Sequence, residues 1–133
     1  WTIPSQPVHI GGTFDLGDCI DAVPALAVLA CYSTQKVRII GVANARNKEG
    51  NRLEGLAEQL RRLGGNITVL PDGLDITPSV LRGGVVDALG DQRIAMALAV
   101  AALGAQAPVT LQGAQVVRKT YPSFFERLYS VCV

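Results

Sequence analysis

Apolar positions along this chain fall into blocks of two different periods. Leu53, Leu56, Ala57, Leu60 and Leu63 recur at spacings of three and four, the stripe of an amphipathic helix. Asn51 stands ahead of that stripe with Glu54 three residues later, a capping-box spacing, and Gly64-Gly65 stops it. Two further runs, 22–31 and 94–103, are apolar on every side, and Pro24 suits a first helical turn. A helix apolar all round is expected to be buried all round. A last helix is predicted over 123–131, just after Pro122. Short β-branched runs at 37–42, 83–87 and 109–113 read as strands, as does 8–14 with a break at Gly11-Gly12. Runs 67–70 and 74–77 flank Pro71-Asp72-Gly73, a hairpin turn. Pro4 and Pro7 mark an irregular start, and Asp15, Asp18 and Asp21 occupy a polar turn with Gly17.

The pattern occurs twice. Ala25-Leu26-Ala27-Val28 matches Ala97-Leu98-Ala99-Val100, Gly41 matches Gly113, Arg46 matches Arg118 and Leu56 matches Leu128, all at an offset of 72 residues. That spacing is too long for a solenoid and fits a duplicated β-α-β-α-β-β unit, over about 8–78 and 79–133, in an α/β (α+β) fold. The second copy lacks its closing hairpin: either the chain is truncated or those strands come from elsewhere. In each copy a buried helix is followed by a strand, a charged loop and a more exposed helix. Equivalent loops of duplicated units should lie on one side, which would bring Asp21, Lys48, Glu49 and Arg52 close to Asp91, Arg93 and Lys119.

Composition narrows the possible functions. The chain has 133 residues, one domain's worth, with 12 basic and 11 acidic side chains for a net charge of +1. Binding nucleic acid as the main partner would need a broad basic face, which this balance argues against. There is no run of eighteen apolar residues, so no membrane span is implied. Trp1-Thr2-Ile3-Pro4 carries no basic segment leading into an apolar one, so no secretory signal is visible, and the start looks cut from a longer chain. Cys19, Cys31 and Cys132 are odd in number and far apart, and His9 is the single histidine, so no metal site is expected. The thiols read as reduced, mostly buried packing residues of a cytosolic protein. His9 reads as a surface residue, Asp15 and Asp18 as turn residues, Met96 as helix core, and Arg46 and Arg118 as members of structural ion pairs, with an edge position at the site as the alternative for either.

The chemistry concentrates before the amphipathic helix. Arg46, Lys48, Glu49 and Arg52 place three cations and one carboxylate within seven residues. By itself such a run is a solvated loop with weak ion pairs. At a helix start it is also an anion site, because free N–H groups and the positive end of the dipole favour an anion there and Lys48 and Arg52 add charge. Glu49 is costly beside an anion unless it handles a proton. The repeat favours the second reading.

Asn44-x-Arg46-x-Lys48-Glu49-x-x-Arg52 resembles a motif of the enolpyruvylshikimate-phosphate synthase family. Gly90-Asp91-Gln92-Arg93-Ile94-Ala95-Met96-Ala97 is similar to that family's Asp-His-Arg segment, and Lys119-Thr120-Tyr121-Pro122-x-Phe124-Phe125 to its closing Lys-Thr/Ser-Phe/Tyr-Pro segment. Asp21, ahead of Val23-Pro24, matches an aspartate opening the last but one unit. The resemblance implies two lobes of three β-α-β-α-β-β units each, with buried helices inside and sheets outside, of which this chain covers the last two units of the C-terminal lobe. Strands from the very start of the longer chain would complete the final unit. It further implies transfer of the enolpyruvyl group of phosphoenolpyruvate to the 5-hydroxyl of shikimate 3-phosphate through a tetrahedral adduct, with release of phosphate and with no metal or organic cofactor. Arg52, Arg93 and Lys119 match cations that hold phosphoenolpyruvate, and Asn44 and Lys48 match ligands of shikimate 3-phosphate. Asp21 matches the carboxylate at the reacting hydroxyl and Glu49 the one at the methylene carbon. The partners implied are those two substrates and a missing N-terminal lobe, in the cytoplasm, with glyphosate as an expected ligand of the complete enzyme.

Three departures stand out. Gln92 occupies the place of the usual histidine, Gly50-Asn51 replaces Thr-Asp/Glu, and the first lobe is absent, so the chain alone is not expected to turn over. Two other readings remain: a non-catalytic phosphate-binding or scaffold module of the same fold, and a fragment of the related transferase acting on UDP-N-acetylglucosamine. Lys48-Glu49-x-x-Arg52 and Lys119-Thr120 argue against the latter.

Overall fold

A computed structural model describes residues 7–132. The first strand, β1 (Gly12–Asp15), leads through a 3-10 turn (Ile20–Ala22) into helix α1 (Val23–Cys31). The chain returns as β2 (Val37–Ile40), parallel to β1, a β-α-β crossover. A second 3-10 turn (Ala43–Asn47) and helix α2 (Arg52–Arg62) precede the hairpin of β3 (Asn66–Leu70) and β4 (Gly73–Thr77). Strand β4 inserts beside β2, with Ile39 opposite Leu74, giving a sheet ordered β1-β2-β4-β3. The second half runs β5 (Gly84–Asp87), α3 (Gln92–Leu103), β6 (Val109–Gln112), a 3-10 turn (Ala114–Lys119) and α4 (Phe124–Val131), with β5 parallel to β6.

A shift of 72 residues carries β1 onto β5, β2 onto β6 and the start of α2 onto the start of α4. Backbone detail recurs too. Gly41 and Gly113 close their strands at φ 75° and 71°, a left-handed conformation that glycine adopts without a Cβ penalty. Asp15 Oδ1 accepts the N–H of Gly17 at 2.9 Å and Asp87 Oδ1 that of Leu89 at 2.7 Å, the same Asx-turn at equivalent places. Asp15 is thus a turn residue, as its context predicts.

The stripe of α2 forms the centre of the core. Leu53, Leu56, Leu60 and Leu63 are fully buried among Ile39, Leu74 and Ile76 of the sheet and Ile94 and Leu98 of α3. Each such leucine contributes about 2 kcal/mol of burial. Asn51 accepts the N–H of Glu54 at 3.2 Å, half of a capping box; the other half is missing because Glu54 turns to Arg46 instead, at 3.4 Å. Buried Gln59 accepts the N–H of Asp87 at 2.8 Å and pins α2 to β5. A smaller cluster of Ala88, Ala95 and Val117 seats Phe124 and Phe125 at the start of α4.

Several expectations need correction. Val8 makes only an isolated bridge to Ser33, and the strand starts at Gly12, where φ is 97°. Helices α1 and α3 are not buried all round: Leu29, Val100 and Leu103 are 42%, 44% and 56% exposed. With Tyr32 and Met96 they line a groove of about 630 Å³. An all-apolar helix states which faces want cover, and among the described residues nothing covers this one. Cys31 is buried, and burial pushes its thiol up to about 11, but Cys19 and Cys132 are exposed. Arg46 does make a structural pair with Glu54 and donates to Leu70 O at 2.9 Å. Arg118 has no ion pair among the described residues, and the position equivalent to Leu70 lies past residue 133. His9 is at the surface against Thr34. The stretch from Trp1 to Pro4 lies outside the described residues. No described helix is long and apolar enough to cross a membrane.

Candidate functional site

Arg52 sits at the centre of the charged loops. It is the first residue of α2, placed there by the Asn51 cap, and its side chain is only 1% exposed. Three carboxylates surround it. Its Nε donates to Asp91 Oδ2 at 2.7 Å, its Nη1 to Asp21 Oδ1 at 2.8 Å and its Nη2 to Glu49 Oε2 at 2.7 Å. Asp21 comes from the turn before α1, Glu49 from the loop before α2 and Asp91 from the cap of α3, so one guanidinium joins both halves of the chain. Burial works against the Arg52 charge, but the bonds from Asp91 and Asp21 outweigh it and raise its pKa.

Asp91 holds two jobs. Its Oδ1 accepts the N–H groups of Arg93 and Ile94 at 2.9 and 3.2 Å, capping α3, while Oδ2 holds Arg52. The cap aims the first turn of α3 at the site. Gln92 Nε2 donates to Glu49 Oε1 at 2.9 Å, and Arg93 Nη2 lies 3.2 Å from Asp21 Oδ2. Lys48 Nζ lies 3.7 Å from Asp21 Oδ1. Lys119, at the end of the last 3-10 turn, donates to Gly90 O at 3.4 Å. Asn44 lies exposed on the turn before Lys48, with no side-chain hydrogen bond among the described residues.

Both candidate catalytic carboxyls are held below the usual carboxylate range. For Asp21 the main cause is the hydrogen bond from Arg52, which together with the nearby charges of Arg93 and Lys48 outweighs the opposing cost of burial. For Glu49 it is the hydrogen bond from Gln92, with Arg52 and Lys119 adding charge. Both are therefore ionised at neutral pH.

Of the residues expected to converge, Asp21, Lys48, Glu49, Arg52 and Arg93 form one cluster, with Lys119 at its edge through Gly90 and the charge it projects on Glu49. Arg52 differs from the free cation its charge suggests. Three carboxylates already engage it, and it can grip an anion only if one of them yields. The open cations are Lys48 and Arg93, whose side chains are each 37% exposed, and exposed Lys119. Sequence reasoning did not single out Asp91 as the anchor of Arg52. An aspartate before an apolar helix signals a cap, and that role hides the second one. The cluster is an open wall rather than an enclosed pocket: the Asp21 side chain is 48% exposed and that of Glu49 31%. The apolar groove between α1 and α3 touches this wall at Asp21 and Arg93. Among the described residues no group of histidine, cysteine and carboxylate side chains could hold a metal.

The family model for EPSP synthase (3-phosphoshikimate 1-carboxyvinyltransferase) matches residues 3–128. A 3-phosphoshikimate 1-carboxyvinyltransferase of Chlamydia trachomatis serovar L2 is 44% identical over 115 residues, 86% of this chain and 26% of its own length. The protein of the same name from Clostridium novyi is 43% identical over 117 residues, covering 87% and 27%. Among solved structures, an EPSP synthase from Acinetobacter baumannii superposes with a TM-score of 0.79 at 30% identity, covering 84% of this chain and 27% of that one. The chain thus spans about a quarter of the length of the relatives it matches.

Proposed function

The chain belongs to the EPSP synthase family, and from that premise we propose that it supplies the C-terminal wall of an active site that transfers enolpyruvyl from phosphoenolpyruvate to the 5-hydroxyl of shikimate 3-phosphate. The remaining three quarters of such an enzyme, including its first lobe, would supply the facing wall, and the work would take place in the cytoplasm. The observation that carries this reading is the meeting of two separately held carboxylates, Asp21 and Glu49, on one buried guanidinium, beside the open cations Lys48, Arg93 and Lys119.

Each part has work in that reaction. Arg93 and Lys119 take the carboxylate and phosphate of phosphoenolpyruvate, Arg93 as a bidentate fork. Lys48 and Asn44 face shikimate 3-phosphate. Asp21, ionised and held by Arg52, takes the proton of the attacking hydroxyl as the new C–O bond forms. Glu49 gives a proton to the methylene carbon, which becomes a methyl group. When the tetrahedral adduct expels phosphate, Glu49 takes a proton back from the methyl group and Asp21 passes the hydroxyl proton to the departing phosphate, so both carboxylates end as they began. At rest Glu49 is ionised, the form that suits the second step. An anionic substrate beside it raises its proton affinity, and Arg52 loosens from it to meet the substrate carboxylate, so the acid form needed for the first step becomes accessible.

The test is phosphate release by a protein of the relatives' full length that carries this chain. Glu49→Gln should lower kcat by about 100-fold or more, the range typical of a general acid–base group. Arg93→Ala should mainly raise the KM for phosphoenolpyruvate. Near-normal turnover in both variants would overturn the assignment, and the 133-residue chain alone should release no phosphate. A full-length protein that binds both phosphorylated ligands without turnover would instead be a phosphate-binding module of the same fold.

A further inference from the structure

Gln92 is 6% exposed, yet only one end of its amide is engaged: Nε2 donates to Glu49 Oε1 at 2.9 Å, and buried Oε1 has no partner among the described residues. A buried acceptor left empty is costly, of the order of a lost hydrogen bond. Here it has a consequence. No donor fixes the amide, and the terminal torsion of a glutamine is broad and roughly two-fold, so the group turns over without breaking any bond but the one to Glu49. After a half-turn Oε1 faces Glu49. A carboxylate offers that oxygen nothing, whereas a carboxylic acid offers it an O–H.

We propose that Gln92 is a positioning residue that serves both protonation states of Glu49, donating from Nε2 to the carboxylate and, once turned, accepting at Oε1 from the acid. Gln92 itself neither gains nor loses a proton. The proton passes between Glu49 and the substrate carbon alone, and the amide keeps the carboxyl aimed in both halves of the cycle. This rests on the proton role of Glu49 given above. The charged groups that face Glu49 come from several elements. Arg52 bonds it from α2, Lys119 acts from the last 3-10 turn, and Lys48 and Arg93 flank Glu49 and Gln92 in sequence; Asp21 and Asp91 reach it only through Arg52. Among the described residues no histidine faces Glu49, and His9 bonds Thr34 instead. The depressed proton affinity of Glu49, caused first by Gln92, agrees with the donating orientation in the empty site.

The experiment uses a protein of the relatives' full length that carries this chain, as wild type, Gln92→Met and Gln92→His. Methionine keeps the length and volume and removes both hydrogen-bonding ends. With Gln92→Met, kcat should fall about 10-fold, the loss of one charge-assisted bond, while both substrate KM values change little. The acid limb of the kcat profile, set by Glu49, should move to higher pH. Gln92→His should add an ionisation near the ordinary imidazole value of about 6.5 to the wild-type profile. An acid limb and kcat unchanged in Gln92→Met would overturn the proposal. The carboxyl carbon resonance of Glu49, assigned by its loss in Glu49→Gln, gives a readout independent of turnover. If wild type releases no phosphate, the transferase reading fails. The Gln92–Glu49 coupling then stands if the Glu49 midpoint rises in Gln92→Met, and falls if it does not.

Discussion

Replacing Arg52 by methionine tests whether one guanidinium holds the two halves of the chain together. The substitution keeps most of the side-chain length and removes the guanidinium, whose four hydrogen bonds now meet Asp91, Asp21 and Glu49. The three carboxylates do not lose equally. Asp21 and Glu49 are partly exposed and fall back on water, so their share is small. Asp91 is 2% exposed and has no such recourse, although the N–H groups of Arg93 and Ile94 still reach its Oδ1. Breaking a buried ion pair from one side costs about 3–5 kcal/mol. The retained cap places this case at the lower end, about 3 kcal/mol. With a urea m-value of about 1–3 kcal/mol per molar, the unfolding midpoint should fall by about 1–3 M. Urea titration followed by far-UV circular dichroism reads this directly. A double-mutant cycle with Asp91→Asn should return a coupling of about 0.5–3 kcal/mol, the range for residues in one ion-pair network. A loss below about 1 kcal/mol in Arg52→Met, together with an additive cycle, would show that Arg52 is no structural tie, and the account of the site as a preassembled wall would fail with it.

Two further outcomes follow from the same contacts. Asp21, Glu49 and Asp75 all have folded proton affinities below the unfolded value, so their stabilisation is present above about pH 4 and is lost as pH falls through their lowered values. Melting temperatures measured from pH 7 to pH 3 should stay level to about pH 5 and then drop, less steeply in Arg52→Met; a decline already under way between pH 7 and 5 would contradict the assigned directions. The groove between α1 and α3 predicts that the chain alone binds an apolar dye, and that Leu29→Lys with Val100→Lys abolishes this at a stability cost within about 0.5 kcal/mol, as for surface sites. The same pair should destabilise a full-length protein if a sister helix covers the groove there, and equal tolerance in both settings would refute that cover.

The local order of this chain was written in its sequence. The leucine stripe of α2, the Asn51 cap, the Pro71-Asp72 turn and the offset of 72 residues all depend on neighbours a few positions apart or on repetition, and each appears where the pattern places it. The motif residues stood out through the family resemblance they carry, since a charged run before a helix is by itself an ordinary solvated loop. The state of those residues was not legible. Whether Arg52 is a free cation or a buried hub depends on Asp91, 39 residues away, and whether Glu49 is free or held depends on Gln92, 43 residues away. Nor could apolar periodicity tell which face of α1 and α3 stays open, since it records a demand for cover and not the partner that meets it. Hydrogen-bond satisfaction and burial are settled only when distant segments meet, so tertiary structure alone decided which charges are committed and which remain open to a ligand.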